Sequence, residues 1–293
     1  MDDPLIDIST GCSAKCRYCL HQYKNIAPSR IMDRAVFYNI IGIIAKEGLK
    51  RVYLYMSGEP VLHPLFYDFL HTTTIFKIVP NVASKLPVLF DSRGMEDILF
   101  ETEVPIEFDI TVDSIDRETQ KKIAPGLNTE VVLENIKRVA ELRKRYSNKF
   151  KVNVITVVNR YNEDNLHSLK SYFNNLGLPW APKSMGFYMG YKVDDGDVKN
   201  ISDLATRWNM RKRRFKIIGG KIVSNKKKCG SMLKPAISVD GDVSICCHDM
   251  LFEINAGNIL KEGSLKKIIS SDKYQKLYKA GRKMNLHICK GCN

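Results

Sequence analysis

The placement of cysteine constrains this chain more than any other feature. Eight cysteines fall at its two ends, and none occurs between Cys19 and Cys229. A disulfide framework would be denser and would belong to a small secreted domain. Clustered thiols in a reducing compartment are metal ligands, and soft thiolates select zinc, copper(I) or iron–sulfur clusters. The first group reads Cys12-Ser-Ala-Lys-Cys16-Arg-Tyr18-Cys19, three ligands on one short loop. A structural zinc site or an electron-transfer cluster takes four. Three protein ligands on a four-iron cube leave one iron open to a small molecule. A zinc knuckle that borrows His21 is the alternative.

The sequence between the groups alternates strands and helices. Ile31, Ala35, Ile40, Ile43 and Ile44 share a helical face, and Gly48 stops that helix. Arg51 to Met56 reads as a strand, followed by Ser57-Gly58-Glu59-Pro60. Further strands are expected over Pro87 to Asp91, Ile106 to Val112, Lys151 to Val158 and within Lys183 to Tyr188. Thr129 is expected to cap a helix running to about Tyr146, and Leu166 to Leu176 forms another, closed by Gly177. This alternation implies an α/β fold with a parallel sheet and right-handed crossovers. No run approaches the ~20 apolar residues of a membrane-spanning helix. The opening Met1-Asp2-Asp3-Pro4 is acidic where a signal peptide would be basic, so a cytoplasmic location is expected.

After residue 190 the pattern changes. Residues 191–228 form a polar, basic bridge with Arg211 to Arg214 and Lys226 to Lys228. Asp240-Gly241 between alternating apolar residues is a hairpin signal, and a helix is expected from Ser264-Leu265 to about Lys279. Cys229, Cys246, Cys289 and Cys292 make a four-ligand set, which zinc and an iron–sulfur cluster fit equally well. Cys247 is left over and reads as a small buried residue. A thiol hydrogen-atom donor is its sharper alternative. His248 reads as a surface or supporting residue. Asp249 and Glu253 are candidate general bases by location alone.

The CxxxCxxC loop with Tyr18 before its last cysteine resembles the radical S-adenosylmethionine (SAM) superfamily. Gly58-Glu59-Pro60 resembles its GGEP-type motif, and the pairing of Cys229 and Cys246 with Gly257-Asn258-Ile259 and the closing CxxC resembles its SPASM/twitch extension. The resemblance implies a partial (β/α)6 barrel of the TIM type over residues 1–190 and a twitch domain, a hairpin plus helix, over 229–293. It implies two [4Fe-4S] clusters, one on Cys12, Cys16 and Cys19, the other on Cys229, Cys246, Cys289 and Cys292. The chain ends one residue after the CxxC, which favours the one-cluster twitch form over the longer extension. Tyr18, Ser57, Gly58, Glu59, Pro60 and Thr111 are the implied SAM contacts. Two departures stand out: Ser92-Arg93-Gly94 where a Thr-Asn-Gly is common after strand three, and Ala124-Pro125-Gly126 where an Arg-Gly turn is common after strand four.

The implied activity is that of a radical SAM oxidoreductase. It makes a 5′-deoxyadenosyl radical and dehydrogenates or epimerises a small polar substrate of sugar or aminocyclitol type, with the auxiliary cluster taking the second electron. The implied electron donor is a flavodoxin or ferredoxin. The first rival is a maturase of a ribosomally made peptide. It is weakened because the first ligand, at residue 12, leaves no room for a leader-binding domain. The second rival is a non-catalytic thiolate–metal protein that binds nucleic acid. The formal charge of +14 favours an anionic partner or substrate, although a solvated basic face explains it as well. No RNA-binding motif is present, so nucleic acid is not the expected partner.

Overall fold

The structure is a computed structural model, and it describes residues 2–19, 21, 29–184, 215–218, 221–224, 228–229 and 233–289. Six strands run parallel and lie side by side in chain order. They are β1 (Leu5–Ile6), β2 (Arg51–Tyr53), β3 (Val79–Ser84), β4 (Ile106–Thr111), β5 (Phe150–Val158) and β6 (Trp180–Ser184). Helices α1 (Arg34–Lys46), α2 (Phe66–Ile75), α3 (Ser92–Glu101), α4 (Arg117–Ile123), α5 (Thr129–Arg145) and α6 (Leu166–Asn175) fill the crossovers. This is the parallel α/β arrangement expected of the partial barrel; α4 and α5 share the β4–β5 crossover, and the segment after β6 lies outside the described residues.

Strand alternation divides the sheet into two faces. Val52, Val82, Phe108, Ile110, Val152 and Val154 point to the helices and belong to one buried core. Phe37 of α1 stacks on Phe69 of α2 with ring centroids 3.9 Å apart. Phe108 meets Phe66, Phe90 and Phe150 edge-on, tying β4 to the helix layer. Burial of each such ring contributes about 2–3 kcal/mol. The opposite, inner face carries Tyr53, Asn81, Glu107, Asp109, Thr111 and Asn153.

Local chemistry sets the ends of the helices. Asp33 accepts from the backbone N–H groups of Ala35 and Val36, which starts α1. Gly48, at φ +77°, lets Leu49 N–H reach back to the Ile44 carbonyl. The buried face of α1 is Phe37, Ile40, Ile41 and Ile44. Ile31 and Ala35, expected on that face, are exposed: Ile31 lies before the helix, which begins at Arg34, and Ala35 lies in its first turn off the buried face. Asn128, one residue before the expected Thr129, caps α5 by accepting from Val131 N–H at 3.2 Å.

The third strand differs from expectation. It is Val79–Ser84, and Pro87 to Asp91 has no regular structure. Pro80 and Asn81 argue against a central strand in sequence. The structure accommodates them: Pro80 is buried in register with Val52, and Asn81 donates to Glu107 at 3.0 Å. The Ser92-Arg93-Gly94 segment is therefore not a loop after strand three. It is the first turn of α3, capped by Asp91, whose side chain accepts from Gly94 N–H at 3.0 Å. The sixth strand begins at Trp180, and residues 185–188 lie outside the described residues.

The hairpin at Asp240-Gly241 forms as expected, with Gly241 at φ +83°. Its strands, β9 (Ala236–Ile237) and β10 (Asp242–Ser244), are joined by β11 (Gly257–Asn258). β9 pairs in parallel with β1, so these strands and the six of the barrel form one nine-stranded sheet. The bridge contains a separate antiparallel pair, β7 (Phe215–Ile218) and β8 (Lys221–Ser224). Arg211 to Arg214 lie outside the described residues. The expected helix from Ser264 to Lys279 is interrupted. After the short α7 (Ile259–Glu262) come α8 (Leu265–Ser270) and α9 (Asp272–Arg282). Ser271 separates them, and its hydroxyl accepts from Tyr274 N–H to start the second. Among the described residues no helix is long and apolar enough to cross a membrane.

Candidate functional site

The loops at the carboxyl ends of the strands interlock through their backbones. The cysteine loop follows β1. Glu59 N–H donates to the Gly11 carbonyl at 2.8 Å, and the His21 ring donates through Nε2 to the Ser57 carbonyl at 2.6 Å. His21 thus ties the cysteine loop to the Gly-Glu-Pro loop, which gives it a different task from the fourth zinc ligand considered above. Gly58 packs so closely that a Cβ there would run into the carbonyl oxygens of Ser9 and Gly11. On the other side, Arg17 N–H donates to the Ile123 carbonyl at 2.8 Å, and Gly126 N–H to the Ala14 carbonyl at 3.1 Å. A Cβ on Gly126 would run into the Ser13 carbonyl oxygen. The Ala124-Pro125-Gly126 turn is therefore one jaw of a clamp on the cysteine loop, and the Ser57–Pro60 loop is the other.

Asp7, which sequence reasoning passed over, sets the position of Ser57. Its carboxyl accepts from the Ser57 hydroxyl and from Ser57 N–H. Burial pushes the Asp7 carboxyl up to about 7, against these hydrogen bonds. Glu59 is fully enclosed. Its Oε2 accepts from Lys85 N–H at 2.9 Å, while Oε1 has no protein partner. Burial raises its pKa. A buried carboxylate oxygen left open is costly, and a donor-bearing ligand would satisfy it. Lys85 pairs with Asp113 at 2.5 Å, and Asp113 accepts from Val157 N–H at 3.0 Å, which stitches together the ends of β3, β4 and β5. Burial acts to lower the Lys85 pKa, but the facing Asp113 carboxylate and Cys16 raise it overall. Thr111 is the last residue of β4, Tyr18 is buried in the cysteine loop, and Pro60 is buried beside Glu59.

The donor set fits an iron–sulfur cluster. Burial pushes the Cys12 and Cys16 thiols up to about 11 and about 12, and the charges of Cys12, Cys16 and Cys19 act on one another. Among the described residues no three His, Cys, Asp or Glu side chains are drawn together tightly enough to hold one metal ion. A four-iron cluster takes each cysteine on a different iron, so its sulfurs stand further apart than ligands of a single ion.

The second cysteine set lies in the core. Cys229, Cys246 and Cys289 are all buried, and Cys292 lies outside the described residues. Cys229 N–H donates to the Arg282 carbonyl and Cys289 N–H to the Leu286 carbonyl, which holds both near the end of α9. Gly281 on that helix packs against Ile245, next to Cys246. A hydrogen bond with Cys247, together with burial, raises the Cys246 thiol pKa. Cys247, expected to be buried, is only partly so, and packs beside Leu5, Met56 and Ala236. Asp249 is not available as a base. It is buried and accepts from the Ser244 hydroxyl and from the N–H groups of Glu253 and Ile254 at 2.7–2.9 Å. Glu253 pairs with His287 at 2.7 Å on the surface.

Comparison with known proteins assigns this arrangement. The family model described as the Radical SAM superfamily matches residues 6–172. The chain belongs to the radical SAM superfamily. A second model, the SPASM iron-sulfur cluster-binding domain, matches residues 229–293. A curated relative is an S-adenosylmethionine-dependent nucleotide dehydratase of a Thermoplasmatales archaeon (strain ISO4-H5), 28% identical over 149 residues. That match spans half of each chain. Among solved structures, native anSMEcpe with bound AdoMet and Kp18Cys peptide superposes with a TM-score of 0.67 at 18% identity, covering 99% of this chain and 88% of that one. BtrN in complex with AdoMet and 2-DOIA superposes at 0.58 and 15%, covering 100% and 94%. These likenesses show a shared fold. Radical SAM membership with a SPASM domain brings SAM and [4Fe-4S] clusters as cofactors.

Proposed function

We propose that this radical SAM protein dehydrogenates or epimerises a small polar molecule of sugar or aminocyclitol type. The observation that carries the reading is the interlocked barrel mouth, with the open Glu59 Oε1 beside the clamped cysteine loop. When bound, the cluster and SAM supply one-electron cleavage of SAM and removal of a hydrogen atom from a substrate C–H bond. In this proposal Cys12, Cys16 and Cys19 hold the first cluster. Cys229, Cys246, Cys289 and Cys292 hold an auxiliary one, which receives the second electron. Glu59 accepts from the SAM ammonium, as a buried carboxylate accepts from a charged donor. The backbones of Ser57, Gly58 and Pro60 and the side chains of Tyr18 and Thr111 complete the SAM contacts. Asp7 and His21 orient the Ser57 segment. A flavodoxin or ferredoxin supplies electrons in the reducing cytoplasm.

Both the nucleotide dehydratase and BtrN with 2-DOIA carry small molecules in their descriptions, which supports a small substrate. A second reading, maturation of a ribosomal peptide, is favoured by the peptide-bound structure that superposes on 99% of this chain. The deciding experiment is anaerobic reconstitution followed by SAM and dithionite. Formation of 5′-deoxyadenosine, with iron near about eight per chain, is the expected result. Full cluster loading without SAM binding would sink the proposal.

A further inference from the structure

The outward face of α9 carries a charge pattern that the barrel mouth does not use. Between Asp272 and Lys283 the cations are Lys273, Lys276, Lys279, Arg282 and Lys283, and Asp272 is the sole anion. All of these cations are exposed. At about 100° per residue, Lys276, Lys279 and Lys283 form one stripe, opposite the buried Tyr274 and Gly281. Among the described residues none of the four lysines enters an ion pair, whereas Lys267 and His287 on neighbouring segments do.

An ordinary solvated helix face mixes the two signs. α5 does so: Glu134 pairs with Arg138 one turn on, and Glu130 and Glu141 are interspersed with Lys137 and Lys144. On α9, Lys276 is one turn from Lys279, and Lys279 one turn from Lys283, spacings at which like charges destabilise a helix. The helix dipole favours cations in the last turn, which accounts for Lys279, Arg282 and Lys283 but not for Lys273 and Lys276. An anionic partner seated on the stripe would remove the repulsion.

The stripe lies over the second cysteine set. Cys229 N–H donates to the Arg282 carbonyl at 3.0 Å, and Lys228 beside it is exposed. Tyr274, on the inner face of α9, is within electrostatic reach of Cys246. One helix diameter, about 10 Å, separates the lysines from the core beneath. An electron crosses such a layer by tunnelling, while the buried thiols stay out of reach of a molecule that must touch them.

Resting on the reading above that an auxiliary cluster receives the second electron, we infer that the basic face of α9 docks an acidic one-electron carrier protein. The carrier takes that electron away, a task separate from the supply of electrons to the first cluster. Dehydrogenation of an alcohol carbon removes two electrons and two protons. One of each leaves as the hydrogen atom that ends in 5′-deoxyadenosine. The other proton goes to solvent, and the other electron passes through the C-terminal cluster to the oxidised carrier, which is reduced by one electron. Such encounters bury little area and rely on charge, and α9, about 16 Å long, offers both. The mixed charges at Glu262–Lys267 and Glu253–His287 bound the patch, which suits a small protein contact better than a nucleic-acid track.

The test uses an acidic flavodoxin as the probe. Its oxidised form is titrated into the reconstituted holoenzyme by anaerobic calorimetry at low and high salt. Binding should weaken as salt rises, and Lys276→Glu/Lys279→Glu should weaken it at least about tenfold. Lys276→Gln/Lys279→Gln should give an intermediate loss. Lys137→Glu/Lys144→Glu on α5 changes the net charge equally and should cost less than about twofold. Electron transfer is read separately in Cys16→Ala, which keeps the C-terminal cluster alone. After reduction and removal of dithionite, stopped-flow absorbance should show the flavin gaining one electron, slowed by the α9 reversal and not by the α5 reversal. Circular dichroism and iron content confirm that each variant is folded and loaded. No binding, an affinity indifferent to the α9 reversal, an equal loss in the α5 control, or a single-stranded RNA that binds α9 more tightly than flavodoxin overturns the assignment. The proposed function fails separately: if SAM is neither bound nor cleaved while electron transfer to flavodoxin still depends on Lys276 and Lys279, the docking face stands and the radical chemistry falls.

Discussion

Cys12, Cys16 and Cys19 occupy one contiguous loop and are each only partly covered, whereas Cys229, Cys246 and Cys289 come from separate segments and are 7–8% exposed within the core. The first set is held by backbone hydrogen bonds from two neighbouring turns. The second is held by backbone hydrogen bonds from Cys229 and Cys289 and, in addition, by the hydrophobic packing around Cys229 and Cys246. A loop gripped at its backbone keeps its side chains free to meet a ligand from outside. Thiols buried to this degree are screened from small molecules that approach from solvent. One region is built for exchange with small molecules and the other for permanence, although both are made of the same residue.

The sharpest way to break this contrast is to remove one cysteine from each region. Cys16→Ala should reduce 5′-deoxyadenosine formation by more than about a hundredfold and lower iron by about four per chain. The cofactor-free protein should melt at nearly the wild-type temperature. Cys246→Ala should also lose about four irons, but with a stability loss of about 2 kcal/mol, read as several degrees in melting temperature. Equal losses of stability in the two variants would refute the distinction. Gly126→Ala tests the clamp. Its Cβ would strike the Ser13 carbonyl, so loading of the first cluster should fall severalfold while the second remains, by Mössbauer quantification.

Glu59→Gln should weaken SAM binding by roughly ten- to a hundredfold, the cost of removing one side of a charge-assisted contact. The cofactor-free protein should become no less stable, since the variant relieves a carboxylate whose ionisation burial disfavours. Isothermal calorimetry and a thermal melt on the same sample check both halves. The smallest effect concerns pH. The Asp7 carboxyl is raised from its ordinary 3.8 to about 7, so the folded state holds a proton that the unfolded chain releases. Its stabilising contribution is complete below about pH 4 and is lost as pH rises through 7, on the order of a few kcal/mol in the cofactor-free protein. Urea titrations from pH 4 to 8 should show this slope in the wild type and a flatter profile in Asp7→Asn.

The cysteine loop and Gly58-Glu59-Pro60 were legible in the sequence because their chemistry is local. Spacing alone places three thiols on one turn. Helices α1, α5 and α6 were legible from periodicity, with Gly48 and Gly177 as stops, whereas α2, α3 and α4 were not read from the sequence. What was not legible depends on distant partners. Val79–Ser84 reads poorly as a strand because Pro80 and Asn81 have weak strand preference, and only the neighbours β2 and β4 make it one. Asp7 looks like an ordinary loop residue until Ser57 is placed against it, 50 residues on. The Lys85–Asp113 pair and the clamp role of Gly126 are invisible for the same reason. In the opposite direction, Asp249 looked like a free acid beside a hairpin, and its hydrogen bonds show a turn-forming residue.

The parallel pairing of β9 with β1 has a consequence for how the chain can be divided. Leu5 and Asp7 donate their N–H groups to Pro235 and Ile237 across that seam. A barrel expressed alone, without residues after 228, would present β1 as a bare sheet edge with open donors and acceptors. Such an edge recruits any available strand, including another copy of itself. The truncated barrel is therefore expected to self-associate, and the C-terminal strands act in the intact chain as a fitted cover against aggregation.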